Sequence, residues 1–305
     1  MYRFLVFIMF ISCTSKNEIS KESPYVMILG VAQDAGYPQI NCKKKCCESA
    51  WKNINFHKMT SCIAIVDPIK RKQWIIDATP DIKNQLQLLK SKTGMDQIDG
   101  VLLTHAHIGH YTGLIHFGRE VMGSKNTPVF VMPRMKSFLE KNGPWSQLVE
   151  LENITLSKLK SDSIINLNRN VKITPILVPH RDEFSETIGY KISINKKSLL
   201  FIPDIDKWEK WEKDIIDLIE EVDYAFLDGT FYKNGELNRD MSEIPHPFIE
   251  ESMGLLSPLS IKDKRKVNFI HFNHTNPLLI EGSLAQKEVL SKGFNFAEEG
   301  AVISF

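Results

Sequence analysis

An apolar stretch that runs directly into three closely spaced histidines constrains this chain more than any other feature of its sequence. Residues 100–104 (GVLLT) predict a buried strand, and His105, His107 and His110 follow it at once. On an extended segment His105 and His107 point to the same side, and Gly109 allows the turn that brings His110 beside them. Neutral imidazole is the commonest metal ligand in proteins. The spacing therefore predicts a metal site at a strand end, with a set of unrelated surface or core histidines as the alternative.

The sequence from residue 24 onward alternates between strand and helix patterns, which is typical of one α/β domain, predicted over 24–305. Hydrophobic residues make up 43% of the 305 residues, enough for a large core. The predicted helices cover residues 79–94, 113–122, 133–141 and 208–221. The predicted strands cover 25–31, 61–67, 73–77, 100–104, 127–132, 171–178, 187–194, 198–202, 224–227, 267–272 and 301–305, with less regular edge strands at 155–159 and 164–167.

More potential ligands stand at the ends of later predicted strands. His180 follows the strand at 171–178, Asp204 follows the strand at 198–202, and His271 ends a strand near the C-terminus. Each alone is a weak signal, because polar residues often end strands. Their order along the chain, taken with the three histidines above, favours a metal-binding edge.

The first residues of the chain predict export. The apolar run Phe4–Ile11 is too short to span a bilayer but suits the core of a signal peptide. Ser12 and Cys13 follow directly, and this arrangement resembles a bacterial lipoprotein cleavage box. We therefore expect a signal peptide over 1–12, lipid on Cys13 and a polar tether over 13–23. The product would be an exported lipoprotein, anchored to the membrane and facing the periplasm; an uncleaved anchor with a chance cysteine is the alternative.

A second group of potential ligands is the cluster Cys42, Cys46 and Cys47, which precedes a helix-like segment. Lysines 43–45 favour thiolates, which bind zinc. A closed tetrahedral site needs a fourth ligand, and His274 is the candidate. The alternative is a disulfide with one free thiol, which an exported protein could form.

The order of ligands, His-x-His-x-x-His followed by a histidine, an aspartate and a histidine, resembles that of the metallo-β-lactamase superfamily over residues 25–305. The resemblance implies an αββα sandwich, in which two sheets lie face to face between outer helices. It also implies a metal site at one edge, built from the loops at the strand ends. There the first ion would be held by His105, His107 and His180, with Asp204 bridging or capping.

One departure from the superfamily pattern concerns the second ion. The pattern is His-x-His-x-Asp-His, and this chain has Gly109 where the aspartate stands. The resemblance leaves His110, His271 and Asp204 for the second ion, so we expect that ion to be bound more weakly. We also expect Gly109→Asp to raise its occupancy.

Further motifs resemble two branches of the superfamily. GVAQDAGYPQINC, LDGTFY and IHFNHTNPLL are similar to segments of the PQQ-synthesis protein B family, whose members often lack the full histidine motif. The cysteine cluster resembles that of the phosphonate-pathway phosphodiesterase and, more distantly, ribonuclease Z. That branch implies a structural zinc at the cysteines and a further histidine that assists phosphate chemistry, which is His246 here.

These features together predict an exported, metal-dependent hydrolase of a small-molecule phosphodiester or related ester. The cofactors would be one or two catalytic zinc or manganese ions and one structural zinc, with Asp204 placing the attacking water and His246 assisting the leaving group. The net charge of +1 does not favour a nucleic-acid partner. The alternatives are a role in quinone-cofactor maturation, as in the PQQ branch, and a non-catalytic metal-binding lipoprotein.

Overall fold

The computed structural model describes residues 22–305 of the chain. The predicted signal peptide, the predicted lipid site at Cys13 and nearly all of the predicted tether lie outside the described residues. Within 22–305, no helix is both long enough and apolar enough to cross a membrane.

Two seven-stranded sheets form the frame. The strands of the first sheet are β1 (Tyr25–Gly30), β2 (Cys62–Asp67), β3 (Lys72–Ile76), β4 (Gly100–Leu102), β5 (Thr127–Val131), β6 (Ile154–Lys158) and β14 (Val302–Ser304), in the order β14-β1-β2-β3-β4-β5-β6. The strands of the second sheet are β7 (Ile165–Asn166), β8 (Val171–Leu177), β9 (Ile188–Ile194), β10 (Lys197–Ile202), β11 (Tyr224–Asp228), β12 (Val267–Ile270) and β13 (Asn295–Phe296), in the order β13-β12-β11-β10-β9-β8-β7.

Alternating side chains on each strand explain why the sheets stack. On β1, Val26 and Ile28 pack into the core between the two sheets, whereas Met27 and Leu29 face the opposite way, into a second core under helices. All four are fully buried. A strand that is apolar on both faces needs cover on both faces, and the predicted αββα sandwich provides it.

Nine α-helices complete the four layers over residues 22–305: α1 (Lys45–Lys52), α2 (Ile82–Thr93), α3 (Ile108–Tyr111), α4 (Pro133–Lys141), α5 (Trp145–Glu150), α6 (Ile215–Glu220), α7 (Ile249–Leu255), α8 (Ile261–Lys264) and α9 (Leu284–Ser291). Helices α2, α4 and α5 cover the first sheet, and α6, α7 and α9 cover the second. Helices α3, α5, α7, α8 and α9 and strand β13 are not among the elements predicted from the sequence.

Two predicted helices are wrong in extent. The segment predicted as a helix over 113–122 forms only a 3-10 helix, Thr112–Phe117, because Gly118 turns to an extended conformation. The helix predicted over 208–221 divides into a 3-10 turn, Trp208–Lys210, and the shorter α6. Asp214 separates the two, since its side chain caps α6 by accepting a hydrogen bond from the Ile216 amide at 2.8 Å.

Strand direction places the predicted ligands together. In the first sheet β1, β3 and β4 run the same way, and in the second sheet β8, β10, β11 and β12 do. A bridge between Ala32 and Phe272 joins the ends of β1 and β12 across the two sheets. The loops after these strands therefore meet at one edge of the sandwich, which is where open α/β sheets usually bind ligands.

Candidate metal centre

Four side chains from three strand ends converge on the first candidate ion site. His105 and His107 follow β4, His180 follows β8 and Asp204 follows β10. Their potential ligand atoms lie within 4.8 Å of one another. The Asp204 carboxylate lies 3.2 Å from His105 Nε2, 3.9 Å from His107 Nδ1 and 3.2 Å from His180 Nε2. The structure thus brings together the four residues assigned to the first ion from the sequence.

Each of these imidazoles is also contacted through its other nitrogen. Such contacts fix the ring orientation and select the nitrogen that faces the centre. The contacts are Thr104 Oγ1 with His105 Nδ1 at 2.9 Å, Glu183 Oε2 with His107 Nε2 at 3.1 Å, and Asp206 Oδ1 with His180 Nδ1 at 3.0 Å.

Unsatisfied polar atoms mark this centre as a cation site. The two nitrogens His105 Nε2 and His180 Nε2 each lie 3.2 Å from the Asp204 carboxylate. Within the described part of the chain, these nitrogens and Asp204 Oδ1 are nevertheless buried and make no hydrogen bond of acceptable geometry. An unsatisfied buried polar group costs about 1–3 kcal/mol, so three of them facing one another need compensation. Imidazole nitrogens and a carboxylate oxygen suit zinc, and they also accept manganese. The residues therefore fit a divalent cation.

A second pair of histidines lies beside the first set. His110 on α3 and His271 after β12 bring their Nε2 atoms within 3.3 Å of each other. Their Nδ1 atoms are 2.7 Å from Asp77 Oδ2 and 3.0 Å from Thr230 Oγ1, respectively. His110 Nε2 is also 3.9 Å from Asp204 Oδ2. The Asp204 carboxylate therefore faces both groups, as a bridging ligand would.

Asp34 also lies at this edge, and it is not among the ligands predicted from the sequence. It follows β1, and one of its oxygens lies within 4.8 Å of ligand nitrogens of His110 and His271. The sequence predicts that this group depends on Asp204 for its carboxylate, whereas the structure also places the Asp34 carboxylate beside it. The available signal was position, because Asp34 follows the end of a buried strand as the other candidates do.

His246 approaches from the loop between β11 and α7. Its Nδ1 lies 2.8 Å from Asp228 Oδ2 and 3.2 Å from Asp204 Oδ1. Burial by itself lowers the pKa of His246, but the Asp228 and Asp204 carboxylates outweigh burial and raise that pKa well above its ordinary value. The two carboxylates therefore favour the protonated imidazole, which is the form that can act as a proton donor. Asp228, which positions it, was also missed from the sequence.

The electrostatic surroundings favour the metal-binding form of some ligand candidates at this edge and not of others. Burial lowers the pKa of His105 and of His271 well below the ordinary value, which keeps these imidazoles neutral. Burial would raise the pKa of Asp204, but His180 and His246 outweigh it, so the carboxylate is ionised. For His110, the Asp77 carboxylate outweighs burial and raises the pKa, so a proton competes with a metal ion for this imidazole up to a higher pH.

The cysteine cluster forms a separate group beneath this edge. Cys42 Sγ lies 3.9 Å from Cys46 Sγ, and His274 Nδ1 lies 3.6 Å from Cys46 Sγ and 3.4 Å from Cys47 Sγ. A tetrahedral zinc with ordinary bond lengths would separate two sulfurs by about 3.8 Å and a sulfur from a nitrogen by about 3.5 Å. The three cysteines are free thiols rather than a disulfide. The four residues proposed from the sequence thus have the geometry of a closed zinc site.

The sequence of the chain is similar to those of known proteins. The chain matches the family described as Beta-lactamase superfamily domain over residues 73–272, which include most of the ligand candidates. It is 24% identical to coenzyme PQQ synthesis protein B of Gluconobacter oxydans, covering 90% of this chain and 96% of that protein. It is 26% identical to the protein of that name in Methylorubrum extorquens strain AM1, covering 92% and 99%.

Solved structures share the fold over nearly the full length. Zn²⁺-bound PqqB from Methylobacterium extorquens superposes with a TM-score of 0.78 at 22% identity, covering 92% of this chain and 100% of that one. A diphosphatase of the PhnP family superposes with a TM-score of 0.62 at 20% identity, covering 92% and 97%. The short form of human tRNase Z gives a TM-score of 0.58 at 14% identity, covering 92% and 98%.

Proposed function

Because this chain belongs to the metallo-β-lactamase superfamily, we propose that it is a metal-dependent hydrolase that cleaves a small phosphodiester or a related ester. The observation that carries the proposal is the convergence of His105, His107, His180 and Asp204 around buried atoms that lack hydrogen-bond partners. A metal ion held by imidazole and carboxylate ligands at an open edge can activate water for hydrolysis.

The residues around the centre divide the work of hydrolysis. A divalent ion bound there supplies Lewis-acid activation of water and of the scissile bond. Asp204 faces both histidine groups, so its carboxylate orients the attacking water between them. His246, protonated and held by Asp228, donates a proton to the leaving oxygen. The neighbours named as a diphosphatase and as tRNase Z share the fold, and their names are the reason for proposing a phosphate ester as substrate.

The test uses the full chain purified in detergent, loaded with zinc or manganese and assayed on bis(p-nitrophenyl) phosphate. We expect His105→Ala to abolish hydrolysis, because it removes a ligand of the first ion, while the cysteine site keeps its zinc. His57→Ala is the matched control, since His57 bonds only a backbone carbonyl on α1, Ala50 O at 3.0 Å. A protein that binds metal but hydrolyses neither phosphodiesters nor lactones would refute the proposal and favour the non-catalytic alternative.

The role of His246 has a sharper test. A general acid contributes about 10²–10⁴-fold to rate, and mainly where the leaving group is a poor one. His246→Gln should therefore slow cleavage of an alkyl phosphodiester much more than cleavage of a p-nitrophenyl ester. Equal losses on both substrates would rule out proton donation.

A role in quinone-cofactor maturation is the second candidate. It is favoured by the PQQ synthesis protein B relatives, which align over 90–92% of this chain and 96–99% of their own lengths. The test is complementation: expression of this chain in a strain that lacks synthesis protein B should restore PQQ production if the role is shared. Failure to restore it, together with phosphodiesterase activity, would favour the hydrolase.

The cysteine group is proposed as a structural zinc site, and the chain is proposed to be an exported lipoprotein that presents the metal edge at a membrane surface. The first proposal is supported by the spacing of Cys42, Cys46, Cys47 and His274. The second is supported by the apolar run before Cys13.

A further inference from the structure

We propose that Asp34 is a ligand of the second ion, in place of the carboxylate that the superfamily pattern supplies at position 109. With His110 and His271 it forms a complete set, which Asp204 joins to the first ion. This inference depends on the proposed metal centre but not on the proposed hydrolysis.

The convergence of the three side chains is the first observation. One carboxylate oxygen of Asp34 and one nitrogen each of His110 and His271 lie within 4.8 Å of one another. Both histidines are fully buried, and Asp34 is partly buried above them. The Nε2 atoms of His110 and His271 face each other at 3.3 Å, which is about the spacing of two imidazole nitrogens bound to one tetrahedral zinc ion.

The second observation is that Asp34 occupies the space of a side chain at position 109. A Cβ on Gly109 would lie 3.0 Å from Asp34 Oδ1, 2.6 Å from its Cα and 3.1 Å from its carbonyl oxygen. Real Cβ atoms do not approach backbone that closely, so an aspartate at 109 and this position of Asp34 exclude each other. Gly109 therefore leaves free the space that Asp34 occupies. The carboxylate of this site comes from the loop after β1 instead of from position 109.

The loop that carries Asp34 is fixed to the segment that carries His271. The Gln33 amide donates to Phe272 O at 2.8 Å, and the Phe272 amide donates to Val31 O at 2.8 Å. The Asn273 side-chain amide donates to Gln33 Oε1 at 2.6 Å. These bonds set the position of Asp34 relative to His271, as a shared ligand set requires.

Both ligand-bearing segments also adopt uncommon backbone conformations. Asp34 has φ 38° and His271 has φ 69°, which is left-handed backbone for residues other than glycine. Such conformations are uncommon for residues other than glycine and persist where the surrounding structure demands them. Here they aim the two side chains at the same point.

The test is a zinc titration of chelator-treated full chain in detergent, with bound zinc counted by elemental analysis. We expect the wild type to take up two ions besides the one at the cysteine site, and Asp34→Asn to bind the second about 100-fold or more weakly. That loss should exceed the 10–100-fold effect of removing a contact that merely orients a ligand. Asparagine tolerates left-handed backbone, so the loop should keep its shape.

The matched control is Asp162→Asn. Asp162 also has left-handed backbone, φ 57°, but it is exposed and pairs with Lys213 at 3.2 Å. It should leave both affinities unchanged, and chelator-treated Asp34→Asn should unfold at the same temperature as the chelator-treated wild type. Full second-ion affinity in Asp34→Asn, or a wild type that binds one ion besides the cysteine zinc, would overturn the assignment. Either result leaves phosphodiesterase activity, measured separately, to decide the proposed function.

Discussion

The close contact between α3 and the loop after β1 makes Gly109→Ala a direct test of the architecture at the metal edge. The new Cβ would lie 2.6 Å from Asp34 Cα, whereas carbon atoms prefer about 3.5–4.0 Å. Backbone lies on both sides of the contact, so no side-chain rotation can relieve it. Overpacking costs about 1–3 kcal/mol, and the upper half of that range applies here.

A gain in helix propensity of up to about 1 kcal/mol partly offsets this cost, so the free energy of unfolding should fall by about 1–3 kcal/mol. Gly254→Ala is the matched control: Gly254 lies within α7, and its Cβ would meet nothing within 4 Å. That variant should be stabilised by up to about 1 kcal/mol. Urea unfolding in the presence of chelator measures both, and the two variants should differ by about 2–3 kcal/mol on these ranges.

A Gly109→Ala protein as stable as the wild type would refute the reasoning, because it would mean that the loop after β1 yields freely. The same contact opposes the sequence-based expectation that Gly109→Asp raises metal occupancy. An aspartate at position 109 would push Asp34 away from His110 and His271, so we now expect the second ion to be bound no better than in the wild type.

Three further predictions concern regions away from this contact. Cys47→Ser should remove the cysteine-site zinc and lower the binding affinity of the second catalytic ion more than that of the first. Elemental analysis and zinc titration measure these effects. The control is Cys62→Ala, which changes a buried thiol outside the set and should have neither effect. The Glu299 carboxylate accepts a hydrogen bond from the Met59 amide at 2.7 Å, and burial raises its pKa. The folded state therefore keeps the Glu299 carboxyl protonated to a higher pH than the unfolded state does. The stability that comes from this protonation is lost as the pH rises from about 4.3 through the raised pKa. Glu299→Gln should therefore gain stability relative to the wild type between pH 4 and 7 in urea unfolding, and a constant difference between the two proteins over that range would contradict the prediction. Cys13→Ala should move the protein from the membrane to the soluble fraction or stall its processing, and unchanged fractionation and mass would contradict the lipid anchor.

The sequence predicted the sheets better than the helices, and the reason is physical. Strands such as β8 and β9 carry β-branched residues between clear turns, and the edge strands β6 and β7 lie within a residue or two of their predicted places. The missed helices α5 and α8 are only six and four residues long. Helices this short depend on tertiary packing for their stability and leave little periodicity in the sequence.

The candidate ligands also differ in how readily the sequence reveals them. His105, His107 and His110 were visible because they are adjacent in sequence and follow a strand. Asp34 was not visible, because its proximity to His110 depends on how the loop after β1 packs over Gly109, a contact between residues 75 positions apart. Spacing along the chain reports ligands that share a segment, and it cannot report a carboxylate that reaches the site from another loop.

The two proposed metal sites depend on the same two segments. The stretch after β1 carries Asp34, then Cys42, and then Cys46 and Cys47 at the start of α1. The stretch after β12 carries His271 and, three residues later, His274. An ion at the cysteine site would therefore clamp together the two segments that each supply one side chain to the second catalytic ion. The first ion draws its ligands from the loops after β4, β8 and β10, which this clamp does not touch. Metal binding at a site of this kind contributes folding free energy locally. The structural zinc would therefore restrict the motion of Asp34 and His271. The positions of His105, His107 and His180 would not depend on it.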